Sequence, residues 1–503
     1  MDCLNHPNLR IMPVQTLPFQ SLIPIDRSAA IPIYQQVANG LIRLIIDGTI
    51  KPGFSLPPSR ALAELMQLNR TTIVAAYEEL RIQDWIEVLP RKGIFVSRQL
   101  PVIKPRTFRK ERKAINSEVL QPGFFLKLTD LSAPEPDTRS YEIVINDGYP
   151  DARVAPLPLL LSKYKSLFGK KHIDGLLLGG TAAGSGNLRG ELASFLSKTR
   201  GMDVDEEHVL VTRGAQVAIY IAARMIIKPG SLVIVGDLNY NLANEVFKQA
   251  GATLIKVKVD ENGMDIDEVE QICKTQKPDL LYIIPHHHHP TTVTLSAERR
   301  MKLLHIIRSY QLPVIEDDYD YDFHYDNCPI LPLASADHKG YVVYIGSITK
   351  TLAPSIKMGY IVASKEFIWQ SAQLKKMMEI RGDILMEEAL ASLYSSGEMQ
   401  RHITRSVKLY RTRRDLFCNL LQEELGEMVK FVKPLGGMAI WTTFNQKYLL
   451  PQLSKKIALQ GISMNDGGRY NTGAIATNSV RIGFASMNEK EMKTFVEVLS
   501  KSK

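Results

Sequence analysis

The sequence predicts a multidomain chain with two folds of different class. The first is a small α+β unit of three helices closed by a hairpin. Behind it comes a large α/β domain on a largely parallel sheet. Three observations predict this. At 503 residues the chain is long for one domain. Residues 31–97 carry short apolar stripes of helical period that end in a basic hairpin. From about residue 141 onward, β-rich apolar runs alternate with helical segments.

The apolar fraction of 45% and the charged fraction of 23% are those of ordinary globular protein. No apolar run approaches the roughly 20 residues that span a bilayer. The first residues lack a basic segment followed by an apolar stretch, so no signal peptide is expected. Cys3, Cys273, Cys328 and Cys418 lie far apart and form no C-x-x-C pair. Neither a disulfide framework nor a metal site is therefore expected, and a reducing cytoplasm is the expected compartment. The net charge of +9 is uneven: residues 98–113 hold seven Lys/Arg against one Glu. That run reads either as a solvated linker or as a basic tether beside a nucleic-acid-binding module.

Residues 1–30 show no periodicity and are expected to be a loop or a docking arm. Tyr34, Val37, Leu41, Leu44 and Ile45 then fall on one helical face, which Gly48 ends. After a Lys51-Pro52-Gly53 turn, Leu62, Leu65 and Met66 mark a short helix opening near Ser59. Asn69 suits the N-cap of a third helix. Ile73, Ala76, Tyr77 and Leu80 would form its inward face. Residues 85–89 and 94–97 flank Pro90-Arg91-Lys92-Gly93, a hairpin with a basic tip. Three helices and such a hairpin describe a winged helix-turn-helix. Burying the apolar stripe leaves Arg70, Thr71 and Thr72 free at the helix N-terminus that enters the major groove in this motif. An arginine there can bind guanine bidentately, worth about 1–3 kcal/mol of discrimination.

Over its whole length this stretch resembles the GntR-family DNA-binding domain. The matching pieces are PIYQQ, GTIKPG, LPPSR, NRTT, AYEEL and GIFV. The resemblance implies DNA contacts from Arg60, from Arg70, Thr71 and Thr72, and from Lys92 and Gly93 at the wing tip.

In the large domain, strands are expected near 208–211, 232–235, 280–284, 313–315 and 342–345. Ligands of such sheets sit at the carboxyl ends of strands. After the first run comes Thr212-Arg213-Gly214-Ala215-Gln216, a glycine turn opening a helix and a candidate phosphate cradle. After the fourth comes IEDDYDYDF, whose acids could bind a metal or hold a cationic ring nitrogen. After the fifth comes GSITKTLAPSIKMGY. There Ser347, Thr349 and Lys357 can serve a phosphate, and Lys350 can form a Schiff base. In this order along one sheet, the parts describe a pyridoxal phosphate site.

From about Tyr141 to the C-terminus the chain is similar to a fold-type-I, class I/II aminotransferase. As a whole it resembles the MocR/GabR subfamily of GntR regulators. The motifs are Asp147-Gly148-Tyr149-Pro150-Asp151, GSGNLRGELASFLSKTRG, TRGAQ, EDDYD, SITKTLAPSIKMGY and PLGGM. The resemblance implies that Lys350 carries pyridoxal 5'-phosphate and that Asp317 pairs with the ring nitrogen. Tyr319 would reach the ring hydroxyl, a role Asp318 or Asp320 takes if the register shifts by one. Tyr240 would stack on the ring. Gly214, Ala215, Gln216, Ser347, Thr349 and Lys357 would surround the phosphate. Arg481 would receive an effector's α-carboxylate, or else simply end a strand.

The chain departs from that pattern at three places. Lys357 stands where arginine is usual, which loses the bidentate fork. The P-x-H-Q-[FY]-P motif appears as PHHHHP, with His287 at the motif's histidine and so expected at the effector pocket; four histidines also admit a metal reading. Leu242 replaces an arginine that grips a second carboxylate in some relatives.

The expected function is a promoter-binding regulator, with no membrane attachment and a head-to-tail homodimer. Its aminotransferase-like part would sense pyridoxal phosphate or an amino acid or amine effector. The alternative is a working aminotransferase with a fused DNA-binding domain. A third reading is a cofactor-free scaffold.

Overall fold

In the computed structural model of the chain, residues 17–29, 31–98, 141–169, 173–325, 330–471 and 477–502 are described. The chain divides into two units, residues 1–128 and 129–503. The basic run of 98–113, apart from Arg98, lies outside the described residues, as do Cys3, Cys328 and the first part of the expected arm.

In the small unit, α1 (Ile33–Ile46), α2 (Ser59–Met66) and α3 (Arg70–Ile82) pack on one core. Val37, Leu41, Leu62, Ile73, Ala76 and Leu80 are fully buried in it. Burying each large aliphatic side chain contributes about 1.5–3 kcal/mol. Asn69 starts α3 in extended backbone (φ −68, ψ 140), and its side chain accepts from the Thr71 N–H at 3.0 Å. The wing joins β2 (Ile86–Leu89) to β3 (Gly93–Val96). Its tip turns through Arg91 and Gly93, both at positive φ. A short strand the sequence did not announce, β1 (Ser55–Leu56), pairs antiparallel with β3. Within the expected N-terminal arm, Phe19 and Ile23 are buried in the same core. Gly40 makes room for Ile23: a Cβ there would lie 2.4 Å from its side chain.

The large unit is built on seven strands. They are β4 (Val209–Thr212), β5 (Leu232–Gly236), β6 (Thr253–Val257), β7 (Leu280–Ile283), β8 (Val314–Asp317), β9 (Val342–Ser347) and β10 (Gly359–Val362). Their spatial order is β4-β10-β9-β8-β7-β5-β6. All neighbours pair in parallel except around β10, which is antiparallel to both β9 and β4. The five expected strands appear within two residues of their expected ends. β6 and β10 went unread: β6 is exposed or half-buried over four of its five residues, and β10 is a four-residue run after a turn. Most β4–β9 residues are buried, as expected of a sheet covered on both faces. A second, antiparallel sheet of β11 (Val429–Phe431), β12 (Ala439–Phe444) and β13 (Ser479–Gly483) carries Arg481.

Candidate functional site

The carboxyl ends of β4, β8 and β9 bring the expected residues together. Gly214 takes φ +80 and starts helix α4 (Ala215–Ile226) without any side-chain cap. The first N–H groups of that helix are therefore open to an anion. Space at this turn is tight. A Cβ at Gly359 would lie 2.7 Å from the Gly214 carbonyl carbon and 2.8 Å from the Ala215 nitrogen. A Cβ at Gly214 would stand 3.8 Å from the Thr349 hydroxyl. Thr349 itself donates to the Ile356 carbonyl at 2.8 Å, which shapes the turn after β9. The carbonyl oxygen of the Gln216 side chain is buried without a hydrogen-bond partner. Ser347 ends β9 half-buried, and Lys357 is exposed.

Lys350 follows β9. Its amine donates to the Gly148 carbonyl at 2.9 Å and stands 4.4 Å from the centre of the Tyr149 ring. Burial pushes the ammonium down to about 8, in the direction a nucleophilic amine needs; the carboxylates of Asp147, Asp320 and Asp317 oppose the shift. Asp317 ends β8 and is 2% exposed. One of its oxygens accepts from the Tyr282 hydroxyl at 2.7 Å, while Oδ1 is buried with no partner. Burial pushes this carboxyl up to about 7. A buried acceptor left open is costly, and a protonated ring nitrogen is a group that would satisfy it. On these two observations, the orphaned Asp317 oxygen and the tight uncapped cradle, the residues present fit pyridoxal phosphate.

Tyr319 donates to the His287 carbonyl at 2.9 Å and accepts from Arg481 Nη2 at 3.0 Å. Tyr240 takes the N-cap position of the helix Asn241–Gln249 without a side-chain bond to it, and its ring meets His289 edge to face at 5.2 Å between centroids. Arg481 is buried in β13; its Nη1 donates to the Pro290 carbonyl at 3.2 Å, and its Nε lies 3.5 Å from Asp147 Oδ1. Leu242, at the missing-arginine position, is exposed.

The four histidines do not converge. His286 lies 2.9 Å from Asp318, His287 2.9 Å from Asp320, His288 2.9 Å from Thr291, and His289 2.9 Å from Asp147. Among the described residues no group of three or more His, Cys, Asp and Glu is arranged to hold a metal ion. His287, the position singled out from sequence, is 1% exposed and packed under Gly436 and Gly437. His289 is the ring beside Tyr240. Asp147, quoted from the sequence as part of a motif, was given no role there. It accepts from Tyr470 at 3.0 Å and lies 4.0 Å from Arg469. Burial alone would raise its carboxyl, but His289, Arg481 and Arg469 hold it well below the usual range.

In the small unit, Arg60, Arg70, Thr71, Lys92 and Gly93 are exposed and Thr72 half-buried. Arg70 and Thr71 stand on the first turn of α3, and Lys92 and Gly93 on the wing tip.

Comparison with known proteins divides the chain in the same way. The profile of aminotransferase class I and II matches residues 165–499, and that of bacterial regulatory proteins of the gntR family matches residues 33–96. The probable rhizopine catabolism regulatory protein MocR of Rhizobium meliloti is 25% identical over 482 residues, covering 95% of both chains. The uncharacterized HTH-type transcriptional regulator YdfD of Bacillus subtilis is 26% identical over 474 residues, covering 92% of this chain and 94% of that one. Among solved structures, the Pyrococcus horikoshii kynurenine aminotransferase superposes with a TM-score of 0.68 at 25% identity, covering 77% of this chain and 97% of that one. An archaeal alanine:glyoxylate aminotransferase gives 0.66 at 26%, covering 71% and 90%.

Proposed function

We propose, from the premise that this chain belongs to the aminotransferase class I and II family and carries a gntR-family helix-turn-helix ahead of it, that it is a transcriptional regulator whose large unit holds pyridoxal phosphate and senses an amino compound. One observation carries this reading. The relatives named as regulators match along 92% and 95% of the chain, DNA-binding unit included, whereas the two aminotransferase structures cover 71% and 77%.

In this proposal the start of α2, the start of α3 and the wing bind promoter DNA through Arg60, through Arg70, Thr71 and Thr72, and through Lys92 and Gly93. Lys350 attaches the cofactor, Asp317 holds the proton on its ring nitrogen, and Tyr319 and Tyr240 fix the ring. Gly214, Ala215, Gln216, Ser347, Thr349 and Lys357 surround its phosphate. Bound there, pyridoxal phosphate supplies a carbonyl for an incoming amine and an electron-withdrawing ring. Arg481 keeps the Tyr319 hydroxyl in place, and His287 supports Tyr319 through its carbonyl. The homodimer is supported by an exposed apolar strip: Leu177, Leu178, Met377 and Ile380 are at least half exposed, and Arg381 donates to the Leu178 carbonyl. No helix among the described residues is long and apolar enough to cross a membrane.

A ligand moves the DNA-binding equilibrium only if it binds the two forms unequally. Coupling of about 1–3 kcal/mol would change promoter affinity by roughly 5–150-fold. The test is binding of the full-length protein to DNA from upstream of its own coding region, with and without pyridoxal phosphate and then with amino compounds. A shift in affinity or footprint supports the regulator. Unchanged binding, accompanied by conversion of amino acids to keto acids, supports the second reading, an active aminotransferase. That reading is favoured by the presence of Lys350, Asp317 and Arg481 in one site.

A further inference from the structure

The core of the small unit uses one face of α3. Ile73, Ala76, Tyr77 and Leu80 are buried, with Thr72, Ala75 and Glu79 half-buried beside them. The other face carries Arg70, Thr71, Val74 and Glu78, all exposed. Three of these four are polar. Val74 is apolar and 47% exposed. Nothing inside the small unit calls for valine there. It takes no part in the core around Val37, Leu41 and Ile73. A β-branched side chain also loses rotamer freedom in a helix, so alanine would hold α3 better. The other large apolar side chain exposed on this helix, Ile82, is its last residue, about two turns further on.

Val74 stands one turn after Arg70, on the same side of the helix. Four residues rise about 6 Å, a little under two base steps of DNA, so the two side chains can reach neighbouring base pairs in one groove. The acid one turn beyond Val74 is already engaged: Glu78 accepts from Arg81 Nε at 3.0 Å. In the major groove all four bases present hydrogen-bonding groups, and thymine alone adds a methyl group. The valine side chain has nothing to donate or accept. The methyl is therefore the feature it can read by contact.

We propose that Val74 reads the methyl group of a thymine in the operator. This rests on the regulator reading and deepens it by naming a base. The test is fluorescence-anisotropy titration of the full-length protein with its footprinted site, taken from DNA upstream of its own coding region or selected from random sequence. Each thymine is replaced in turn by deoxyuridine, which removes one methyl and no hydrogen-bonding group. At one thymine for each bound copy of α3, affinity should fall about fourfold, the worth of one buried carbon of this size. Val74→Ala should bind the thymine site more weakly by a similar factor and should no longer distinguish it from the deoxyuridine site. Position 74 lies outside the core and alanine favours helix, so this variant keeps its fold. The inference is overturned if no deoxyuridine site binds more weakly, or if the penalty persists in Val74→Ala. Either result leaves the regulator standing. Failure to bind any DNA, selected sites included, sinks the regulator and the inference together.

Discussion

The molecule has two helix starts suited to a phosphate, and they are built in opposite ways. At α3 the side chain of Asn69 accepts from the Thr71 N–H, so one of the open N–H groups of the helix start is met before any ligand arrives. At α4 the cap is Gly214, which has no side chain to offer, and the first N–H groups stay open. At the start of α3, Arg70 and Thr71 are exposed; at the start of α4, Gly359 approaches the backbone closely. A reader of DNA must hold its shape while it samples many sites. A cofactor site can leave its polar groups unsatisfied, because the cofactor completes them.

The predictions test that contrast, in decreasing order of effect. Lys350→Ala should abolish covalent retention of the cofactor altogether, read as loss of the protein-bound absorbance band after dialysis; an unchanged spectrum refutes the lysine assignment. Asp317→Ala should weaken cofactor binding by roughly 3–5 kcal/mol, because it strips the partner from a buried ring cation. Equilibrium titration checks this. The same residue gives a pH signature without cofactor. The unfolded chain gives up the Asp317 proton near pH 4, whereas burial keeps it in the native state up to about pH 7. Between those values the native state binds more protons, so the Asp317 contribution to stability falls as pH rises. The slope is at most about 1.4 kcal/mol per pH unit. Asp317→Asn should remove it from denaturation midpoints measured across that range.

At the other helix start, Arg70→Ala should cost about 1–3 kcal/mol in operator binding and relax specificity at one base. An equal loss on every sequence would reduce Arg70 to a phosphate contact. Asn69→Ala should cost about 1 kcal/mol of small-unit stability whether or not DNA is present. If that loss vanishes in the complex, DNA completes this helix too and the contrast collapses.

Much of this was legible in the sequence, for physical reasons. The strands that end in Asp317 and Ser347 are short, buried and apolar, so the residues just beyond them stood out. The start of α3 was legible because an N-cap is a local device. What escaped depended on folding distant segments together. Asp147 meets His289 and Tyr470 across 142 and 323 positions. Four identical histidines give no sign of which ring faces the pocket; the fold puts His287 under Gly436 and Gly437, and His289 against Tyr240. The commitments of Arg481 were equally invisible, since three of its acceptors are backbone carbonyls.

Gly359 has a consequence for how this protein can change over time. Any side chain there would press on the backbone of Gly214 and Ala215 and, at 2.9 Å, on the Gly346 carbonyl. Those contacts are main chain, so no rotamer can yield. Position 359 therefore works as a gauge block between the strand and the cradle. Where a contact is made by a side chain, a rotamer can absorb drift, but a lineage that replaces this glycine must rebuild the cradle in the same step or give up the proposed cofactor site.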